Sequence, residues 1–68
     1  MPIVNIKLAK PALSKEQKAE LIADITHLLS VKYNKNKERI VVMIEDIENY
    51  DIGFGGESVE QIKAKAVK

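Results

Sequence analysis

The stretch that most limits the fold is Ile40-Val41-Val42-Met43-Ile44, an apolar, largely β-branched run without alternation. It offers no polar side to water. Such a run predicts a strand covered on both faces, as in a parallel sheet. A strand candidate and a helix candidate precede it, so the expected unit is strand, helix, strand with a right-handed crossover. Two parallel strands alone leave both edges raw. Those edges and the second face of the apolar strand call for further copies of the chain.

The first strand candidate is residues 2–8. Pro2, Val4, Ile6 and Leu8 share one face, and Ile3, Asn5 and Lys7 the other. Proline is tolerated at a strand start, where no ladder hydrogen bond need be donated. Ala9 to Leu13, with Pro11, reads as a loop. Ser14-Lys15-Glu16-Gln17 matches a capping box. Leu21, Ile22, Ile25, Leu28 and Leu29 follow at helical spacing, which predicts one apolar stripe and a helix to about Tyr33, stopped at Asn34. Lys35 to Glu38 is a polar turn and Glu45 to Asp51 a polar segment. Tyr50-Asp51-Ile52-Gly53-Phe54-Gly55-Gly56 predicts a glycine-punctuated turn or short hairpin. Ser58-Val59-Glu60-Gln61 caps a short tail helix through Ile62, and the last residues are expected to fray.

With 68 residues the chain is expected to form a single domain, residues 1–68. A domain of this size buries only about 60% of its unfolded surface and is marginal alone. It has no cysteine, so disulfides and thiolate metal sites are excluded. An apolar fraction of 46% in so short a chain favours oligomerisation as the remedy. The net charge of +1 gives no push toward nucleic acid or an anionic membrane. There is no signal-peptide pattern, and no apolar run approaches the ~20 residues of a membrane span. A soluble cytoplasmic protein is the expectation.

The candidate chemistry starts at the second residue. Removal of Met1 would leave Pro2 with a free secondary amine. A terminal amine titrates at roughly 7.7–8.0. An apolar setting or a nearby cation lowers that value, giving a base usable at neutral pH. The bland reading of Pro2 is a strand start. The lone His27 points away from the apolar stripe, toward solvent. With one histidine and no cysteine, His/Cys metal sites and Ser-His or Cys-His nucleophile pairs are excluded. Glu45, Asp46, Glu48 and Asp51 lack calcium-loop spacing and read as a solvated turn. The glycines of the turn lack a phosphate loop's Lys-Ser/Thr ending. Lys32, Lys35, Lys37 and Arg39 read as a solvated basic turn with little aromatic interleaving. Arg39 is the exception, standing at the mouth of the apolar strand, where its planar fork could reach an anionic substrate.

Taken together, the chain resembles the 4-oxalocrotonate tautomerase family. The resemblance rests on Pro2-Ile3-Val4-Asn5-Ile6, Ser14-Lys15-Glu16-Gln17-Lys18, Leu21-Ile22, the strand Ile40 to Glu45, and Gly53-Phe54-Gly55-Gly56-Glu57. It implies an α+β fold: a β-α-β unit with parallel strands, followed by a C-terminal hairpin and short helix. It also implies a homohexamer, loss of Met1, and Pro2 as the general base that moves a proton between enol and keto forms. The departures concern the substrate's anion. The family carries an arginine before the helix, where this chain has Lys10-Pro11-Ala12-Leu13. A second arginine, early in the second strand, aligns with Ile40, one residue from Arg39. The family's wall aromatic aligns with Ile52, with Tyr50 and Phe54 two residues to either side.

The expectation is a cofactor-free tautomerase acting on an enol or 2-oxo acid. Pro2 is its base, Lys10 and Arg39 replace the arginines, and Ile52 and Phe54 form the apolar wall. A small-molecule substrate and other copies of the chain are its expected partners; metal, nucleic acid and membrane are not. The alternative is a catalytically silent homo-oligomeric binding or scaffold protein on the same fold. A related proline-dependent dehalogenation or decarboxylation is a third option.

Overall fold

The apolar run becomes a parallel strand from Val41 onward, with Ile40 capping the 3-10 turn before it, and the strand runs further than the apolar residues. The computed structural model describes residues 1–66. Strand β1 spans Ile3–Ala9 and strand β2 spans Val41–Ile47. They pair in parallel from Ile3–Val41 to Ala9–Ile47. Helix α1, Lys15–Val31, makes the crossover. The segment from Glu45, expected as a polar turn, instead continues the strand through Ile47 before a 3-10 turn at Asn49–Asp51. Glu45 and Asp46 are tolerated there because alternation sends them to opposite faces.

Register fixes what each face carries. Val4, Ile6 and Leu8 lie beside Val42, Ile44 and Asp46, and all six are half-buried. This face meets α1, whose Lys18 reaches Asp46 Oδ2 at 2.6 Å. The other face carries Ile3, Asn5, Lys7 and Ala9 beside Val41, Met43, Glu45 and Ile47. Here Ile3 is 63% and Met43 46% exposed. Within one chain the β2 run is therefore covered on one side, where the sequence predicts cover on both.

The start of α1 follows its capping box. The Gln17 amide donates to Ser14 Oγ at 3.1 Å and the Ser14 amide to Gln17 Oε1 at 2.9 Å. Leu21, Ile25 and Leu29 turn inward, whereas Ile22 and Leu28 of the same stripe stay exposed. The helix ends at Val31, two residues short of the expected Tyr33. Asn34 takes φ +54 and reverses the chain, a conformation that asparagine tolerates better than most residues.

The hairpin is present: β3, Gly53–Phe54, pairs antiparallel with β4, Glu57–Ser58. Gly55 and Gly56 make its turn at φ +58 and +92. Helix α2, Val59–Ala66, runs past Ile62, and Ser58 and Gln61 exchange the same two capping bonds. Fraying of the last residues concerns residues 67–68 and lies outside the described residues. No helix among the described residues is long and apolar enough to cross a membrane.

The fold has no fully buried side chain among the described residues. Its radius of gyration is 16.0 Å, where a compact chain of this length has about 11 Å. Its accessible surface is 5493 Å², where a folded monomer of this mass has about 4,300 Å². The excess, about 1,200 Å², exceeds what one partner buries in a standard protein interface. The missing core is the size of a subunit contact.

Candidate active site

Pro2 sits at the open N-terminal end of the sheet and is half-buried. Its carbonyl accepts the Val41 amide at 2.9 Å. That bond extends the ladder one step before the Ile3–Val41 pair and sets Pro2 beside Ile40. A 3-10 turn at Lys37–Arg39 leads into the same place, capped by Asn36 Oδ1 on the Glu38 amide. The turn exists because Asn36 offers a side-chain acceptor at its start. It delivers Arg39, exposed, to the sheet end that holds Pro2. In this structure Met1 acylates the Pro2 nitrogen; Met1 itself is 79% exposed.

The other candidate residues gather elsewhere. Lys10 follows the far end of β1, its amide bonded to the Ile47 carbonyl at 3.0 Å. Eight residues of extended chain separate it from Pro2, about 25 Å. Its ammonium holds Glu48 Oε2 at 2.5 Å. That hydrogen bond, then the Glu48 charge, holds the Lys10 pKa above its ordinary value. Lys10 is thus engaged with a carboxylate of its own chain. Ile52 and Phe54 lie beyond the same end, Phe54 68% exposed. One chain therefore carries Pro2 and Arg39 at the same end of the sheet. It places Lys10, Ile52 and Phe54 at the other.

Ile52 and Phe54 line a hollow of about 670 Å³ between the open sheet face, the hairpin and α2. Lys7, Asp51 and Lys63 also line it. Neither lysine stands out in the sequence; Lys7 is marked only by its alternation onto the face away from Leu8. Lys63 reaches the hollow because α2 outruns the predicted helix. His27 is exposed, on the rim of a second hollow of about 360 Å³. Ser30 Oγ donates to the His27 backbone carbonyl at 3.1 Å, so this pair is a helix bond rather than an activated hydroxyl.

A parallel β-α-β unit that opens on a proline and closes with a Gly-x-Gly-Gly hairpin is the tautomerase fold. The family model described as tautomerase enzyme matches residues 2–62, and the chain belongs to that family. A probable tautomerase of Campylobacter jejuni is 84% identical over 68 residues, covering 100% of both chains. The crystal structure of DmpI from Helicobacter pylori is 40% identical, with TM-score 0.79 over 88% of this chain and 98% of that one. A heterohexamer 4-oxalocrotonate tautomerase from Chloroflexus aurantiacus shares the fold, with TM-score 0.76 at 21% identity over 91% and 98% of the two chains. These likenesses support an isomerase-type, tautomerase-like function.

Proposed function

We propose that the protein is a keto–enol tautomerase of a small enol or 2-oxo acid, with Pro2 as its general base after Met1 is removed. The carrying observation is the placement of Pro2: half-buried, pinned through its carbonyl, at the sheet end that Arg39 shares. Pinning through the carbonyl leaves the nitrogen uncommitted once Met1 is gone.

The chemistry needs one base with a pKa near the working pH. A cation beside the freed amine would disfavour its protonation, and Arg39 is the cation carried at that end of the sheet. The neutral imino nitrogen takes the enol hydroxyl proton. The oxygen's electrons form the carbonyl as the carbon–carbon double bond breaks. The same nitrogen then returns a proton to carbon, and no redox partner is required. Arg39 steadies the oxyanion or a substrate carboxylate with its two-pronged guanidinium.

The separation of Pro2 from Ile52 and Phe54 supports a site shared between copies. The wall of one chain closes over the proline of another, in a closed homo-oligomer that we take to be a hexamer. Lys10 remains a weaker candidate for the substrate's anion than Arg39, because Glu48 already neutralises it. The reading includes a cytoplasmic setting, which cell fractionation tests.

The test is ketonisation of phenylenolpyruvate by protein whose N-terminal mass has been measured. Turnover by chains that begin at Pro2, and none by chains that keep Met1, is the expected result. Equal turnover by both forms overturns the proline mechanism, and no turnover by the Pro2 form points to the silent scaffold.

A further inference from the structure

The hollow beside His27 lies on the side of α1 away from the inward-turned Leu21, Ile25 and Leu29. Its volume, about 360 Å³, is at the low end of the roughly 300–1,000 Å³ of small-molecule sites. Ala23, Thr26, His27 and Ser30 line it from one flank of α1, three or four residues apart along most of the row. The 3-10 turn at Lys37–Arg39 adds Lys37 to the lining. Thr26 and Ser30 are half-buried, whereas His27 and Lys37 are exposed.

Both hydroxyl hydrogens on the lining are already engaged. Thr26 Oγ1 donates to the Ile22 carbonyl at 2.8 Å, and Ser30 Oγ to the His27 carbonyl at 3.1 Å. A hydroxyl has one hydrogen and two lone pairs, so toward the hollow each of these can only accept. The Lys37 ammonium can only donate. Among the described residues the ion-paired lysines are Lys10, Lys18 and Lys65, and Lys37 is in none of these pairs. The lining holds no carboxylate; Glu38, next to Lys37, is not part of it. This pattern selects the occupant. A bare oxyanion would set its lone pairs against those of Thr26 and Ser30. A cation would meet Lys37. A neutral polyol would leave the ammonium without a counter-charge.

We infer that this hollow binds a small hydroxylated anion, with its phosphate or carboxylate on Lys37 and its hydroxyls donating to Thr26 and Ser30. His27 serves either part of such a ligand, because a neutral imidazole donates through one nitrogen and accepts through the other. The ligand is not the substrate of the proline site. Arg39, two residues beyond Lys37 in the same turn, is absent from the lining. Occupancy of the hollow needs no chemistry at Pro2, so it stands or falls apart from the tautomerase reading.

The test titrates four probes into the assembled protein and follows amide chemical shifts: glucose 6-phosphate, gluconate, glucose and inorganic phosphate. The expected result is saturable binding of glucose 6-phosphate or gluconate, with shifts at Ala23, His27, Ser30 and Lys37. It should be about tenfold tighter than that of glucose or phosphate, the scale of a charged hydrogen bond to Lys37. The tighter of the two anions names the charged group. Lys37→Gln should weaken it by roughly tenfold and Lys37→Arg by no more than a few-fold. Ser30→Ala and Thr26→Val, which remove one acceptor each, should weaken it by roughly three- to tenfold. Should Thr26→Val disturb the helix, Ser30→Ala, which favours it, carries the same test. Arg39→Gln should leave the affinity within a few-fold. The site is overturned by phosphate binding as tightly as the hydroxylated anions, which would mark a mere basic patch. It is overturned equally by no saturable shift at the hollow, or by Lys37→Gln and Ser30→Ala variants that bind like wild type. A tenfold loss in Arg39→Gln alone would place the ligand at the Pro2 end of the sheet instead. Ketonisation plays no part in the readout, so loss of the enzyme reading leaves this site standing, and loss of this site leaves the enzyme.

Discussion

The Val41 amide donates to the Pro2 carbonyl at 2.9 Å. This one bond ties the second residue of the chain to the strand that follows the crossover. It holds Pro2 through a group that any residue possesses.

Because the backbone makes that bond, Pro2→Ala should leave the fold intact. Far-ultraviolet circular dichroism and sedimentation should match wild type. Ketonisation should fall by about 10²–10⁴-fold in kcat/KM, the usual worth of a positioned base. Activity within a few-fold of wild type would end the case for Pro2.

A shared site predicts complementation. Pro2→Ala lacks the base, and Phe54→Ala lacks part of the wall at the opposite end of the sheet. Mixed, unfolded and reassembled, the two inactive proteins should form some sites carrying a good proline and a good wall. Activity above that of either variant alone is the expected outcome. A mixture no better than its parts would place the whole site within one chain.

The Ser14 cap should matter to every copy. Ser14→Ala removes the acceptor of the Gln17 amide and should cost about 1 kcal/mol per chain. Chemical denaturation at fixed protein concentration measures it. Ser14→Asp should recover most of the loss, since aspartate caps equally well.

Lys18 and Asp46 join α1 to β2 at 2.6 Å, with side chains about a quarter exposed, 30% and 25%. Asp46 Oδ1 is buried without a hydrogen-bond partner. Removing the lysine alone, Lys18→Met, strands that carboxylate and should cost roughly 1–3 kcal/mol. Lys18→Met with Asp46→Leu should cost less than the single change, because no lone charge remains. A double variant weaker than the single would show that the pair itself stabilises the join.

The Lys10–Glu48 pair sets a pH dependence. The Lys10 pKa is raised by its hydrogen bond to Glu48. Its contribution is therefore full below the ordinary lysine value of 10.5 and fades as pH climbs through the raised value. The Lys10 side-chain carbon resonances should titrate above the ordinary lysine value, and Glu48→Gln should bring them back. At so exposed a pair the change in stability should be small.

Local rules made much of this molecule legible. Ser14 with Gln17 and Ser58 with Gln61 announce helix starts because their hydrogen bonds span three residues. The alternation of Val4, Ile6 and Leu8, and the unbroken apolar run at Ile40–Ile44, announce strands and the hunger for partners. Pro2 was visible as a candidate base because its chemistry depends only on being second in the chain. The end of β2 was not legible. Glu45 and Asp46 look like a turn until register assigns them to opposite faces and Lys18 meets one of them.

What the amino-acid order determined, then, is the set of elements, an apolar strand face that one chain leaves open and a proline at the second position. Only the tertiary structure decided which charges meet. It set Lys10 on Glu48, brought Arg39 to the end of the sheet that holds Pro2, and turned Lys7 and Lys63 toward the hollow at the other. The reason is physical. Caps and periodicities act over three or four residues and are written locally. An ion pair between residues 38 positions apart depends on a strand register that no local stretch contains.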